Sequence, residues 1–445
     1  MAVRALPELH RLGKALEGVH GRQFFAYAMS AGGTMAAGLV LVLILVRVLP
    51  AEAYGGLVLT KALMLVVISL AGLGLSQAAV RWGGSKEREN LVLGTVLGGA
   101  SFAALPAAAL LVALIMVFAD RLKLVVTLPL VTAIFVLVFS YILNNELVNW
   151  RRARHQAKHH ALVSTLRAIQ QMVAITVGVL LTNNVAGYVY GLATGELLLL
   201  GWLGYGYRRR LIFQPKLLGE MLRYGGPHTL VIASGFMLNY VDRYMLSFLT
   251  NSNALVAYYD AASMVVVSAL AVLVRPFNLY LFPAYTKRFE EEGRDSTIRL
   301  VNRAQRLFLI ASLGVATVVV LLRKPLLHLL FPPEYSNSAS IFALVAYATI
   351  LNGVFMATVA GLNISKRTAM VGVAAVVAVM ANLVANWFLI PMYGINGAAL
   401  GTVISSLVQL AVGYYYSRAV LAVALPLGLI IGGALWLGLV NWVVS

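Results

Sequence analysis

The feature that most restricts this chain is a succession of apolar runs, each about 20 residues long, separated by short polar breaks. A helix rises ~1.5 Å per residue, so each run is long enough to cross the ~30 Å hydrocarbon core of a bilayer. Thirteen such runs are read, at 26–48, 55–80, 91–118, 124–147, 160–182, 185–206, 227–249, 254–284, 304–323, 338–362, 368–390, 396–417 and 420–442. They cover about seven-tenths of the 445 residues, of which 61% are hydrophobic and only 11% charged. Soluble domains carry about a quarter charged residues. The expected fold is therefore all-α and polytopic. A β-barrel is excluded, because its strands alternate in ~10-residue segments and these runs do not. The first 25 residues are polar and basic, so Phe24 onward reads as a retained first span rather than a cleaved leader.

Orientation follows from the cations. Of the 34 lysines and arginines, 25 fall on the side of the N-terminus, five on the other side and four within runs. By the positive-inside rule the N-terminus is cytoplasmic. This asymmetry also accounts for the formal charge of +18, so nucleic acid is not an expected partner. With no cysteine, disulfides, thiolate metal sites and cysteine nucleophiles are excluded. The histidines of the basic run 154–160 have no acidic neighbour, and the surrounding cations would repel a metal. No Walker loop, HExxH, GxSxG or strand-borne GxGxxG occurs, so no catalytic residue, metal or cofactor is expected.

The longest polar connections are 207–226 and 285–303. The first divides the chain into a cytoplasmic segment 1–25, a six-helix lobe 26–206, a linker 207–226, a second six-helix lobe 227–417 and an added membrane segment 418–445. Leu49-Pro-Ala-Glu-Ala-Tyr-Gly is weakly echoed by the stretch from Leu249 to Tyr258. Two lobes in the same orientation imply a pseudo-twofold axis along the membrane normal, with a cavity between them. The loops on the far side are short, 324–337 being the longest, and none has room for an external catalytic unit.

Ionisable residues inside spans are costly and normally face protein or a water-filled cavity. Eight occur: Lys61, Glu146, Arg167, Glu196, Asp242, Arg243, Asp260 and Arg275. As four cations and four anions they can also be read as mutual structural partners. Lys61, Asp242, Arg243 and Asp260 share a depth of ~10 Å from the outer ends of their spans. Arg243 and Asp260 stand at equal height on consecutive antiparallel helices, which favours an ion pair acting as gate or brace. Asp242 is a competing partner for Lys61 or Arg243. Arg167 and Arg275 lie lower, ~10 and ~13 Å above the cytoplasmic ends. Arg275 precedes Pro276, which should kink the helix, and can grip a diphosphate through its planar fork. The alternative is that both arginines snorkel to the interface. Glu196 has no evident partner at its depth. It is read either as a neutral, proton-accepting carboxyl or as a hydrogen-bond partner of Gln170 and Gln171. The candidate cavity cations are thus Arg275, Arg167, Arg243 and Lys61, and the gate or coupling carboxylates Asp260, Asp242 and Glu196.

Several stretches carry a family resemblance. Asn382-Leu-Val-Ala-Asn386-Trp-Phe-Leu-Ile-Pro391-Met-Tyr-Gly394-Ile-Asn-Gly397-Ala-Ala is the most specific. Asp242-Arg243-Tyr244, Arg275-Pro276-Phe277, Phe282-Pro283-Ala284-Tyr285, Ala53-Tyr54-Gly55 and Gly72-Leu-Gly74-Leu-Ser support it. Together, to about residue 417, they resemble the Wzx-type polysaccharide flippases of the multidrug/oligosaccharidyl-lipid/polysaccharide exporter superfamily. The resemblance implies a central cationic cavity, rocking between inward- and outward-open states, and an undecaprenyl-diphosphate-linked oligosaccharide as cargo in a bacterial inner membrane. It further implies cell-surface polysaccharide synthesis of the O-antigen or exopolysaccharide kind, a monomer, and a polymerase and chain-length proteins as partners. Spans one and eight would flank the lipid portal, with Gly32 and Gly33 suiting a flexible gate. An odd span count is unusual for that family, so 420–442 is re-entrant or interfacial, or the count is wrong elsewhere. The competing readings are a cation-coupled drug exporter, which would want an acidic cavity, and a membrane enzyme of envelope glycan metabolism, which would want convergent acidic or histidine residues.

Overall fold

The computed structural model describes residues 19–83, 88–154, 156–206, 211–365 and 367–444. Within its helices, the side chains of 19–28, 275–276 and a few others lie outside that description. All thirteen expected spans are helical over most of their length. Ten helices among the described residues are at least 18 residues long and apolar enough to cross a membrane.

The N-terminal lobe comprises α1 (Val19–Val48), α2 (Ala51–Ala71), the short α3 (Leu75–Trp82), α4 (Glu89–Val117), α5 (Ala119–Leu122), α6 (Leu128–Ala153), α7 (Ala157–Thr182) and α8 (Ala186–Tyr205). The C-terminal lobe begins with α9 (Pro215–Thr250) and α10 (Asn253–Leu321). It continues through α11 (Arg323–Leu330), a 3-10 turn (Pro333–Ile341), α12 (Phe342–Thr358), α13 (Ala360–Ile364), α14 (Thr368–Tyr393) and α15 (Ile395–Ser417). A last helix, α16 (Leu427–Val444), follows. Two hairpins, α7–α8 and α9–α10, carry most of the charges buried within spans. Each reverses at an asparagine in the left-handed region, Asn183 (φ 51°) and Asn251 (φ 57°), a conformation asparagine tolerates better than most residues.

Four expectations about the connections change. Residues 285–303 are not a loop: α10 runs through them, broken only at Gly293 (φ 79°). The helix also continues through 275 and 276. The supposed linker 207–226 is helical from Pro215, and the expected outer loop 324–337 is occupied by α11 and the 3-10 turn. The second run divides at Gly72–Gly74, where Leu73 and Gly74 both take positive φ (48° and 66°), so α3 is a separate eight-residue helix.

The C-terminal segment forms α16, a helix long and apolar enough to cross a membrane, which packs alongside the C-terminal part of α10. Asn302 accepts the Ala424 N–H at 2.9 Å, Gly433 packs on Leu313, Trp436 donates to Thr317 at 2.9 Å and Arg323 donates to Asn441. Numbers rise together on both helices, so they run parallel. From 302 to 323 the contact extends ~30 Å, the thickness of a bilayer core.

Candidate functional site

The α9–α10 hairpin brings Arg243 and Asp260 together as expected, Nε to Oδ1 at 2.9 Å. The same guanidinium donates from Nη1 to Asp242 Oδ1 at 3.0 Å and to the Asn239 carbonyl at 2.6 Å. It also lies 5.2 Å from the ring centres of both Tyr240 and Tyr259. Asp242 is therefore no competitor, because one arginine serves both carboxylates at once. The other Asp242 oxygen accepts from Thr402 on α15 at 3.4 Å. The other Asp260 oxygen accepts from the Tyr54 hydroxyl at 3.1 Å. Tyr54 belongs to α2, so this bond joins the two lobes.

Asp260 forms part of the wall of a 210 Å³ cavity between the lobes. Lys61, Tyr141, Gln171 and Tyr188 of the N-terminal lobe face it, with Met264 of α10 opposite. Lys61 is half-buried and makes no hydrogen bond or ion pair among the described residues. Its ammonium is the free cation of this cavity, and such a group in a low-dielectric space attracts an anion.

Arg167 and Glu196 depart from expectation. Glu196, read as lacking a partner, is fully buried and held by Arg167 through Nε at 2.9 Å and Nη2 at 3.0 Å. Gln171 donates to it at 2.5 Å and Asn144 at 2.7 Å. Of the two amides expected, Gln171 binds it, whereas both polar atoms of Gln170 are buried without a partner. The Arg167 guanidinium lies 4.4 Å from the Tyr141 ring centre. A bidentate pair with two further amide donors is a closed, satisfied anion site. Arg167 is thus neither a free cavity cation nor a snorkelling one, and Glu196 is not an isolated proton acceptor. The side chain of Arg275 lies outside the described residues.

The lobes also meet beyond the cavity, at the Pro50 end. Glu52 of α2 accepts the backbone N–H groups of Asn253 and Ala254 and the Ser252 hydroxyl, each at 3.2 Å. A carboxylate from one lobe thereby caps the first turn of a helix in the other, where the helix dipole favours negative charge. Arg121 donates to the Ser247 carbonyl at 3.0 Å, and Asn253 donates to the Arg121 carbonyl at 2.5 Å. Gly55 permits this approach, since a Cβ there would stand 1.9 Å from the Asn253 oxygen. The two segments that echo each other in sequence are therefore in contact. Their similarity signalled a repeat, but nothing in it signalled that Glu52 and Tyr54 bind across the lobes.

A family model described as "Polysaccharide biosynthesis protein" matches residues 20–289, more than half of the chain. The chain belongs to this family. Among individual proteins of this kind, an uncharacterised membrane protein of Methanocaldococcus jannaschii, MJ1068, is 26% identical over 207 residues, which is 44% of this chain and 38% of that one. Solved structures match over most of their length. The lipid II flippase MurJ in an inward closed conformation has a TM-score of 0.68 at 16% identity, over 94% of this chain and 91% of that one. A MOP superfamily transporter from Pyrococcus furiosus, described as having a binding pocket of reversed polarity, has a TM-score of 0.62 at 14% identity, over 91% and 96%. An inward-facing multidrug resistance MATE transporter has 0.61 at 16%, over 89% and 97%. At such identities these likenesses establish the fold, two lobes of membrane helices. The chain is therefore a multi-pass membrane protein of the polysaccharide biosynthesis family with the fold shared by lipid flippases and multidrug exporters.

Proposed function

We propose that this protein carries an undecaprenyl-diphosphate-linked oligosaccharide from the cytoplasmic to the periplasmic leaflet of a bacterial inner membrane, with its N-terminus in the cytoplasm. The observation that carries the reading is the free Lys61 ammonium in the cavity between the lobes. A diphosphate with several sugars cannot cross ~30 Å of hydrocarbon unaided, because its polar groups would lose their hydrogen bonds. The lipid tail needs no such shelter. A cation in an inter-lobe cavity answers the need of the headgroup alone.

The cavity volume of 210 Å³ falls below the ~300–1,000 Å³ of ordinary ligand pockets. The lobes must therefore part to admit the cargo, and the present arrangement is a contracted state. Parting requires the Tyr54–Asp260 bond and the Glu52 cap of α10 to open, so alternating access acts on these contacts. Arg167 has no part in releasing the phosphate, since it stays paired within its own lobe. Lys61 and Arg275 are the cations assigned to the headgroup. A drug-exporting relative would place cationic cargo beside Lys61, where like charges repel.

The test is a liposome assay with labelled undecaprenyl-diphosphate-linked oligosaccharide. The wild type should move it between leaflets. Lys61→Gln should weaken its binding about 10-fold or more, the ~1.5–3 kcal/mol of a hydrogen bond to a charged group, with unfolding unchanged. Drug efflux without lipid movement, or a chemically altered lipid product, would replace this reading with an exporter or an enzyme.

A further inference from the structure

Among the described residues, two glutamates lie fully buried within the N-terminal lobe, and only one of them has a counterion there. Glu196 is bound by Arg167, Gln171 and Asn144. Glu146 on α6 is 1% exposed, yet among the described residues its only hydrogen bond is from the Ser76 hydroxyl to Oε1, at 2.8 Å. Oε2 is buried with no partner. No cation stands within ion-pairing distance of it among the described residues.

The elements packed against α6 are α2, α3, α4, α7 and α8, and their charged groups are placed as follows. On α3, Arg81 stacks 4.6 Å from the Tyr224 ring centre. On α4, Glu89 faces Arg154 at 3.8 Å. Arg167 of α7 and Glu196 of α8 hold each other. On α2, Lys61 lines the cavity and Glu52 caps α10. Lys158, His159 and His160 lie in the first turn of α7, and Arg151 and Arg152 follow on α6 itself; among the described residues none of these bonds the carboxyl. Burying an ionised carboxylate without a partner costs several kcal/mol, so such a group takes up a proton or draws its surroundings apart.

Its surroundings are the contact between the lobes. Ser76 sits in the first turn of α3, two residues after Gly74. The Gly74 backbone lies directly against Gly225 of α9 in the other lobe, where a Cβ would stand 2.1 Å from the Gly225 oxygen. The left-handed turn at Leu73 and Gly74 separates α3 from α2, so α3 can shift without carrying the longer helix with it. Asn149 donates to the Ser76 hydroxyl at 3.4 Å, and both residues are half-buried, which gives a proton a polar route in and out.

We propose that Glu146 is a proton-binding site whose loss of the proton displaces α3 from α9 and so couples proton movement to the parting of the lobes. The neutral carboxyl is accommodated by Ser76. The ionised one demands water or a cation, and the nearest element free to move is α3. The coupling rests on the transport reading, whereas the proton site can be examined without it.

Two measurements test it. In nanodiscs, protection of the α3 amides, taken relative to their intrinsic exchange rate at each pH, should fall as pH rises in the wild type and stay high in Glu146→Gln, whose amide keeps the neutral shape. The infrared pH-difference spectrum should lose a protonated-carboxyl band in the variant. Exchange and spectra that coincide for the two proteins overturn the proton site. In liposomes carrying labelled undecaprenyl-diphosphate-linked oligosaccharide, one proton exchanged per lipid should tilt the steady-state leaflet ratio about 10-fold per pH unit of gradient. Glu146→Gln should equilibrate the lipid to a ratio near one, and Glu146→Asp should retain part of the tilt. A full tilt in Glu146→Gln overturns the coupling, as does an untilted wild type that still moves lipid. A wild type that moves no lipid overturns the transport reading instead, and the exchange experiment then decides the proton site alone.

Discussion

Each lobe sets an arginine and a carboxylate across a helical hairpin, and the two pairs are built for different ends. In α7–α8, Glu196 is fully buried and all its donors, Arg167, Gln171 and Asn144, come from its own lobe. In α9–α10, Arg243 divides itself between Asp260 and Asp242, while Asp260 lines the cavity and accepts from Tyr54 of the opposite lobe. The first is a closed knot that holds one bundle together. The second has an open side, and that side is where the lobes touch. Similar chemistry at similar places thus yields a brace within one lobe and a contact across the lobes in the other, because only one pair faces the opposite lobe.

The comparison breaks most readily at the brace. Glu196→Ala should strip Arg167 of its counterion in a dry interior and cost about 3–5 kcal/mol, read from unfolding in lipid nanodiscs. Replacing both partners, Arg167→Met with Glu196→Leu, should recover most of it, since no charge is then left unpaired. If the single change is harmless, Glu196 is not the closed site described.

At the contact across the lobes, Asp260→Ala should cost less, about 1.5–3 kcal/mol, because Arg243 keeps Asp242. Its larger consequence should be wider separation of the lobes, measured by spin-label distances between them. A charge swap, Arg243→Asp with Asp260→Arg, should rescue little, since the new aspartate would stand beside Asp242. Full rescue would mean that Asp242 does not share the guanidinium.

The mildest change is Glu52→Gln. It keeps an acceptor at the start of α10 but removes the charge, and should weaken the closed contact by about 0.3–1 kcal/mol. The same spin labels should then show a modest growth of the open population. An unchanged distribution would remove Glu52 from that contact.

Much of the fold was legible because its cause is local. Run length and charge depletion specify membrane helices residue by residue, and all thirteen expected spans are largely helical. The Arg243–Asp260 pair was legible for a related reason: a tight turn fixes the register of its two helices, so equal distance from the turn means proximity. That argument does not reach the α7–α8 pair, because Arg167 and Glu196 stand 16 and 13 residues from the turn at Asn183. Arg167 and Glu196 differ by ~5 Å on that scale, a gap that a long arginine spans.

What the sequence by itself determined, then, is which segments are helical, which cations crowd one side, and which family motifs the chain carries. The tertiary structure decided which buried charges are paired. It paired Arg167, left Lys61 free, placed Glu52 on the first turn of α10, and laid α16 along the C-terminal part of α10, against Leu313 and Thr317. It also left Glu146 with a single hydroxyl behind the Gly74–Gly225 contact. The physical reason is range. Helix formation in a membrane depends on each segment's own hydrogen bonds and apolar surface. The state of a buried charge depends on which side chains distant in sequence arrive within ~4 Å of it, and that is set only when the lobes pack.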